Sequence, residues 1–199
     1  SPLRLATCTH THTNVSFNHT KLNKKNTREM GAFMSSNAKV TREEVLAAQT
    51  AWADAIVAIS KTCLEKGDFV ALAGEAAGKL YGYGHGKVLF KPTKAAAFPF
   101  RPTANDAMSY FVGAANVKEG GYDEDAGFAI NGGQGWSKVV FENHAIDCHG
   151  KVAIAMGTYK FTNSTTGDVV KVEYTFGYKR NADGKVRICL HHSSVPYGK

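Results

Sequence analysis

Residues 136–195 read WSKVVFENHAIDCHGKVAIAMGTYKFTNSTTGDVVKVEYTFGYKRNADGKVRICLHHSSV, and the fold turns on how this stretch is parsed. Four runs within it, 136–146, 152–162, 169–179 and 185–195, read as strands, rich in β-branched and aromatic residues and bounded by turn residues. Between them stand His149-Gly150, Thr166-Gly167-Asp168 and Asn181-Ala182-Asp183-Gly184. Connections this short, and this rich in residues that tolerate left-handed backbone, join antiparallel neighbours. The stretch is therefore expected to form an antiparallel meander. Its last run ends in His191-His192-Ser193-Ser194, four polar residues that a purely structural strand does not need. Val186, Ile188 and Leu190 are the apolar set there, so an unbroken strand carries His192 and Ser194 onto the buried face. A bulge at the strand end would shift the register by one and turn His191 and Ser193 inward instead.

Upstream the periodicity changes to that of helices. Thr41 and Glu44 have the spacing of a capping box, and Val45, Ala48, Trp52, Ile56, Ile59 and Cys63 recur on one helical face until Gly67. Asp68 is placed to cap a second helix, with Phe69, Leu72, Ala76 and Leu80 along its apolar stripe. A short strand is expected over 87–93, stopped by Pro92, and a helix after Thr103 that carries Tyr110 and Phe111 and ends at Gly113. A loop over 116–125 leads to a further strand expected near 126–130. A long N-terminal helix packed on a curved antiparallel sheet makes an α+β, cone-shaped roll of the cystatin-like or ketosteroid-isomerase-like kind, with its pocket between helix and sheet.

At 199 residues and 43% hydrophobic content, the chain suits one domain, expected over 40–199, preceded by an arm over 1–39. The arm is Ser/Thr/Asn-rich and basic. Residues 1–40 hold six Lys and Arg against Glu29 alone, so they carry +5 of the net +7. An acid-poor basic leader fits an organelle-targeting segment or its flank. The body is nearly balanced in charge and lacks the basic face with interleaved aromatics that nucleic acid requires. No run of about 18 apolar residues is present, so no membrane-spanning helix is expected.

Cys8, Cys63, Cys148 and Cys189 share no close spacing, which argues against a cysteine zinc site or a redox pair. His10 and His12 lack further ligands nearby, and His85, His144 and His149 stand in unrelated places. The Asn-x-Ser/Thr triplets at Asn14, Asn18 and Asn163 matter only on a secretory route.

Several blocks together resemble the iota-class carbonic anhydrases. They are Leu89-Phe90-Lys91-Pro92-Thr93, Phe100-Arg101, Ser109-Tyr110-Phe111-Val112-Gly113, Gly127-Phe128-Ala129, Ala155-Met156-Gly157, Val172 through Tyr178, and Leu190 through Ser194 with Pro196-Tyr197. The resemblance runs from about Val40 to Tyr197 and leaves out the arm. It implies a dimerising α+β cone that hydrates carbon dioxide to bicarbonate and occurs in algal plastids and in bacteria, so that with the basic arm a plastid (chloroplast) location is expected. Its active-site set would fall here on Thr93, Tyr110 and one His/Ser pair, His192 with Ser194 or, in the shifted register, His191 with Ser193.

The residues themselves favour a metal-free route. Adjacent histidines on a strand point to opposite faces and cannot share an ion, and neither H-x-H on a strand of the body nor H-E-x-x-H occurs. A divalent metal stays open at this point, since metal-dependent members of the family have been described. In the metal-free scheme a neutral His192 is the general base, directly or through Ser194, while Thr93, Tyr110 and Ser194 donate to the developing oxyanion. Arg101 is expected to pair with an acid such as Glu173. Two competing readings are a pocket isomerase or dehydratase, which would need a buried Asp or Glu facing an apolar cavity, and a non-catalytic association module, which would need no inward His/Ser pair.

Overall fold

The computed structural model describes residues 37–198. Most of the expected arm, with Cys8, His10, His12, Asn14 and Asn18, lies outside the described residues. Four α-helix and strand boundaries follow from local chemistry. Helix α1 (Arg42–Leu64) opens on the expected capping box, Thr41 accepting from the Glu44 backbone N–H and Glu44 returning the bond to the Thr41 N–H. Helix α2 (Phe69–Leu80) is capped by Asp68, and α3 (Ala104–Val112) by a second capping box between Thr103 and Asp106. Strand β1 (Leu89–Lys91) is followed by Pro92, which has no N–H to continue a ladder.

The meander is as expected: β2 (Trp136–His149), β3 (Val152–Asn163), β4 (Val169–Arg180) and β5 (Val186–Ser194) pair antiparallel in sequence. β1 adds in parallel to the far side of β5, giving the order β1-β5-β4-β3-β2. The concave face of this sheet carries Tyr159, Phe161, Tyr174, Phe176 and Tyr178, all buried. Trp52 of α1 stands edge-on to Phe141, Tyr159, Phe161 and Phe176, with ring centroids 5.8–6.2 Å apart. The α+β cone is thus the observed architecture.

Two expectations fail, each for a backbone reason. The strand expected over 126–130 is instead a 3-10 segment, Phe128–Gly133. Gly127 at φ 85°, Asn131 at φ 49° and Gly132 at φ 60° take left-handed conformations that no strand allows. A Cβ on Gly127 would also sit 2.7 Å from Ile130 Cγ1.

The second concerns β5. Tyr178 pairs with Ile188, but the next residue, Gly177, pairs with Leu190, so Cys189 is an extra residue, a β-bulge. Gly177 permits the close approach, because a Cβ there would lie 2.9 Å from Leu190 Cβ. Before the bulge Ile188 faces inward; beyond it His191 and Ser193 do, at 3% and 1% exposure. The inward placement expected for His192 and Ser194 is therefore corrected: His192 is exposed, and Ser194 is half-buried on the opposite face.

Candidate active site

Three elements converge on His191. β1 runs beside it in register, Phe90 opposite His191, and their rings stack at 4.5 Å. Phe176 of the neighbouring β4 lies 4.1 Å away, and Trp52 closes the side toward α1 at 5.7 Å. Burial in this aromatic box, with a smaller contribution from His192, holds the imidazole's pKa well below its ordinary 6.5, so the ring is neutral.

Both ring nitrogens are engaged. Nδ1 lies 2.8 Å from Tyr81 Oη, and Nε2 lies 2.9 Å from Ser193 Oγ. Tyr81 in turn accepts from the Trp52 indole N–H at 2.9 Å. Its position follows from the residue after α2, where Tyr81 bridges Ile188 and Gly82 donates to the Ile188 carbonyl just ahead of the bulge. Ser193 Oγ also lies 2.5 Å from Tyr159 Oη.

Tyr110 and Thr93 complete the group. Tyr110, on α3, is buried, and its hydroxyl has no well-formed hydrogen bond among the described residues. Burial raises its pKa, a rise opposed by the Lys94 backbone N–H and by the side chain and backbone of Thr93, which lie beside it. Burial raises Tyr159 likewise, opposed first by Ser193 and also by Thr93. Thr93 therefore stands between two phenols, both of them protonated at any physiological pH. Tyr110 also lines a cavity of about 280 Å³ whose wall includes Lys94, Asn131 and Gln134. On the solvent side, Lys91 Nζ is 3.4 Å from the Ser193 carbonyl.

Of the residues singled out from the sequence, the structure brings Thr93 and Tyr110 together with His191 and Ser193. It leaves His192 and Ser194 outside, where they border a surface depression with His144, Met156 and Glu173, and Ser194 makes only a 3.4 Å contact to Glu173. Sequence reasoning missed Tyr159 and Tyr81. Tyr159 was within reach, since Ala153, Ala155, Tyr159 and Phe161 share the inward parity of β3. Tyr81, in a glycine-broken segment after a helix, carries no periodic signal. Arg101 does form an ion pair, but with Asp125 at 2.6 Å rather than Glu173. Among the described residues no three His, Cys, Asp or Glu side chains cluster as metal ligands.

A cone with a neutral imidazole and five hydroxyls gathered at its inner wall has the make-up of a pocket enzyme able to move protons among uncharged groups. Asp125 is buried but already paired with Arg101, so it is not the free carboxyl that an isomerase or dehydratase of this shape would use. Residues 43–195 match the model of the metal-independent carbonic anhydrase family. A metal-independent carbonic anhydrase from Nostoc sp. strain PCC 7120 is 42% identical over 164 residues, 81% of this chain and 76% of that protein. The crystal structure of a cyanobacterial iota-carbonic anhydrase complexed with bicarbonate superposes with a TM-score of 0.74 at 41% identity, covering 82% of this chain and 96% of that one. The chain belongs to the metal-independent carbonic anhydrase family. The reaction expected from the sequence, carbon dioxide hydration without a metal cofactor, is the family's reaction.

Proposed function

We propose that this chain hydrates carbon dioxide at Ser193, with His191, Tyr159, Tyr110 and Thr93 around it. The observation that carries the reading is Ser193 Oγ itself, held 2.9 Å from a neutral imidazole and 2.5 Å from a phenol, beside a tyrosine whose hydroxyl lacks a well-formed partner. A buried phenolic hydrogen with no acceptor among the described residues is available to a ligand oxygen.

The chemistry needs an O–C bond, a proton removed from water, and donors for the oxygens of the product. Hydroxyls both accept and donate, so one group can serve two of these needs. The attacking water forms the O–C bond and gives a proton to Ser193 Oγ, while Ser193 gives its own to a carbon dioxide oxygen. The product is carbonic acid, which ionises to bicarbonate in solvent. Tyr110 and Thr93 donate to the oxygens as charge develops, each well-placed donor supplying roughly 10²–10³-fold. The bicarbonate held by the cyanobacterial relative supports the same ligand here.

The test is a carbon dioxide hydration assay on purified, chelator-treated protein, with Tyr110→Phe beside it. Activity should survive chelation and fall about 10²-fold in Tyr110→Phe without loss of folding. Full activity in Tyr110→Phe would move the site elsewhere.

A homodimer is part of this reading. The outer sheet face exposes Ile154 at 49% and Met156 at 52%, apolar surface of the kind that interfaces cover. The basic, acid-poor arm supports a plastid location.

A further inference from the structure

The hydrogen atoms around Tyr81 can be placed one at a time. The Trp52 indole nitrogen carries a single hydrogen and can only donate, and it donates to Tyr81 Oη at 2.9 Å. Tyr81 is buried at 3% exposure, so its own hydroxyl hydrogen needs an acceptor. Among the described residues the acceptor within reach is His191 Nδ1, at 2.8 Å. A neutral imidazole that accepts at Nδ1 carries its proton on Nε2.

We propose that Trp52 and Tyr81 are positioning residues that fix His191 in the Nε2-protonated tautomer, so that the imidazole donates to Ser193 Oγ instead of accepting from it. In the opposite tautomer Tyr81 Oη would accept from both Trp52 and His191, and its own hydrogen would have no acceptor among the described residues. A buried hydroxyl hydrogen without an acceptor biases the equilibrium against that arrangement roughly tenfold or more. The imidazolium form is disfavoured by the same aromatic enclosure, and among the described residues no carboxylate is paired with the ring.

The consequence runs in one direction along four residues. Trp52 donates to Tyr81, Tyr81 to His191, and His191 to Ser193, and each bond polarises the next. The chain ends on the Ser193 hydroxyl, whose hydrogen is thereby made a stronger donor to a substrate oxygen. His191 is then not the base that receives a proton from water. This role for the relay rests on the reading that hydration occurs at Ser193; the tautomer does not.

The tautomer is measured directly by two-bond proton–nitrogen correlation NMR on the full chain labelled with ¹⁵N-histidine at neutral pH, the His191→Asn variant assigning the signal. The expected spectrum shows the proton on Nε2; a proton on Nδ1 overturns the proposal and makes His191 a base acting through Ser193. Tyr81→Phe keeps the ring and removes the hydroxyl. It should release the tautomer bias and lower the hydration rate roughly 10–100-fold, the scale found when the partner that orients a metal-bound histidine is removed. An unchanged tautomer in Tyr81→Phe also overturns it, and if that variant does not fold the wild-type spectrum still decides. Absence of hydration by the wild-type chain would sink the site reading alone, leaving the tautomer to stand or fall on the spectrum.

Discussion

Two of the buried polar clusters in the described core contrast sharply, one charged and one neutral. Arg101 and Asp125 have fully buried side chains 2.6 Å apart, and the charge is boxed in further. Ser109 donates to the other Asp125 oxygen at 2.7 Å, the Tyr122 ring lies 4.2 Å from the guanidinium, and Arg101 donates to the carbonyls of Phe98 and Phe100. Glu124, 3.6 Å from Arg101, accepts from the backbone N–H groups of Ala96, Ala97 and Phe98. Each of these groups has a fixed role: a guanidinium only donates and a carboxylate only accepts. Such a cluster locks the segment following Thr93 against α3. Around His191 every polar partner is a hydroxyl, an indole or an imidazole without charge, and hydroxyls exchange donor for acceptor without desolvating an ion. The charged cluster frames the pocket; the neutral one is able to react in it.

Removing one member from each should separate the two roles. Asp125→Ala removes the carboxylate 2.6 Å from the buried guanidinium and leaves it only the more distant Glu124, a loss of up to about 3–5 kcal/mol, and should lower the thermal midpoint by roughly 10 °C in calorimetry. An unchanged midpoint would mean that the charged cluster is not the frame. Ser193→Ala should leave His191 and Tyr159 each short of one bond, about 1–2 kcal/mol of stability, yet reduce hydration by about 10²-fold or more. If the two variants lost activity in proportion to stability, the division between frame and chemistry would be wrong.

A pH titration of stability sharpens the same contrast. His191 is neutral when folded, its pKa held below 6.5 by burial, whereas the unfolded chain binds a proton near 6.5. Below about pH 6.5 the unfolded state therefore binds more protons, and stability should fall as the pH falls, by up to about 1.4 kcal/mol per unit until the folded imidazole itself titrates. Chemical denaturation at pH 7 and pH 5.5 should show this slope in the wild type and a flatter one in His191→Asn. The smallest effect is expected from His192→Ala and Ser194→Ala, on the outer face, each within about twofold of wild-type activity. A loss near 10²-fold in either would restore the unbroken-strand register.

The fold was legible because its signals are local. Capping boxes at Thr41 and Thr103, the Asp68 cap and three short turns each act over a few residues, and together they fix the order of elements. Thr93 and Tyr110 of the candidate site were singled out through the family resemblance. The choice between the His/Ser pairs was not legible, because Val186, Ile188 and Leu190 continue the apolar alternation straight through Cys189. What breaks the register is a long-range fit, Gly177 across the ladder and Gly82 bonded to the Ile188 carbonyl. Tyr81 escaped for a related reason: its contacts to Trp52 and His191 join residues 29 and 110 positions apart.

The extra residue in β5 bears on how this strand tolerates insertion and deletion. Removing Cys189 would leave Ile188 facing in, Leu190 facing out and His191 facing in, a regular strand that presents the same pair without the bulge. Flattening the bulge while keeping Cys189 would turn His192 and Ser194 inward, again an imidazole and a hydroxyl two residues apart. The doubled letters of His191-His192-Ser193-Ser194 thus make the chemical content of the strand end indifferent to a slip of one residue. Its connection to Tyr81 and Trp52 is not indifferent, and belongs to one frame alone.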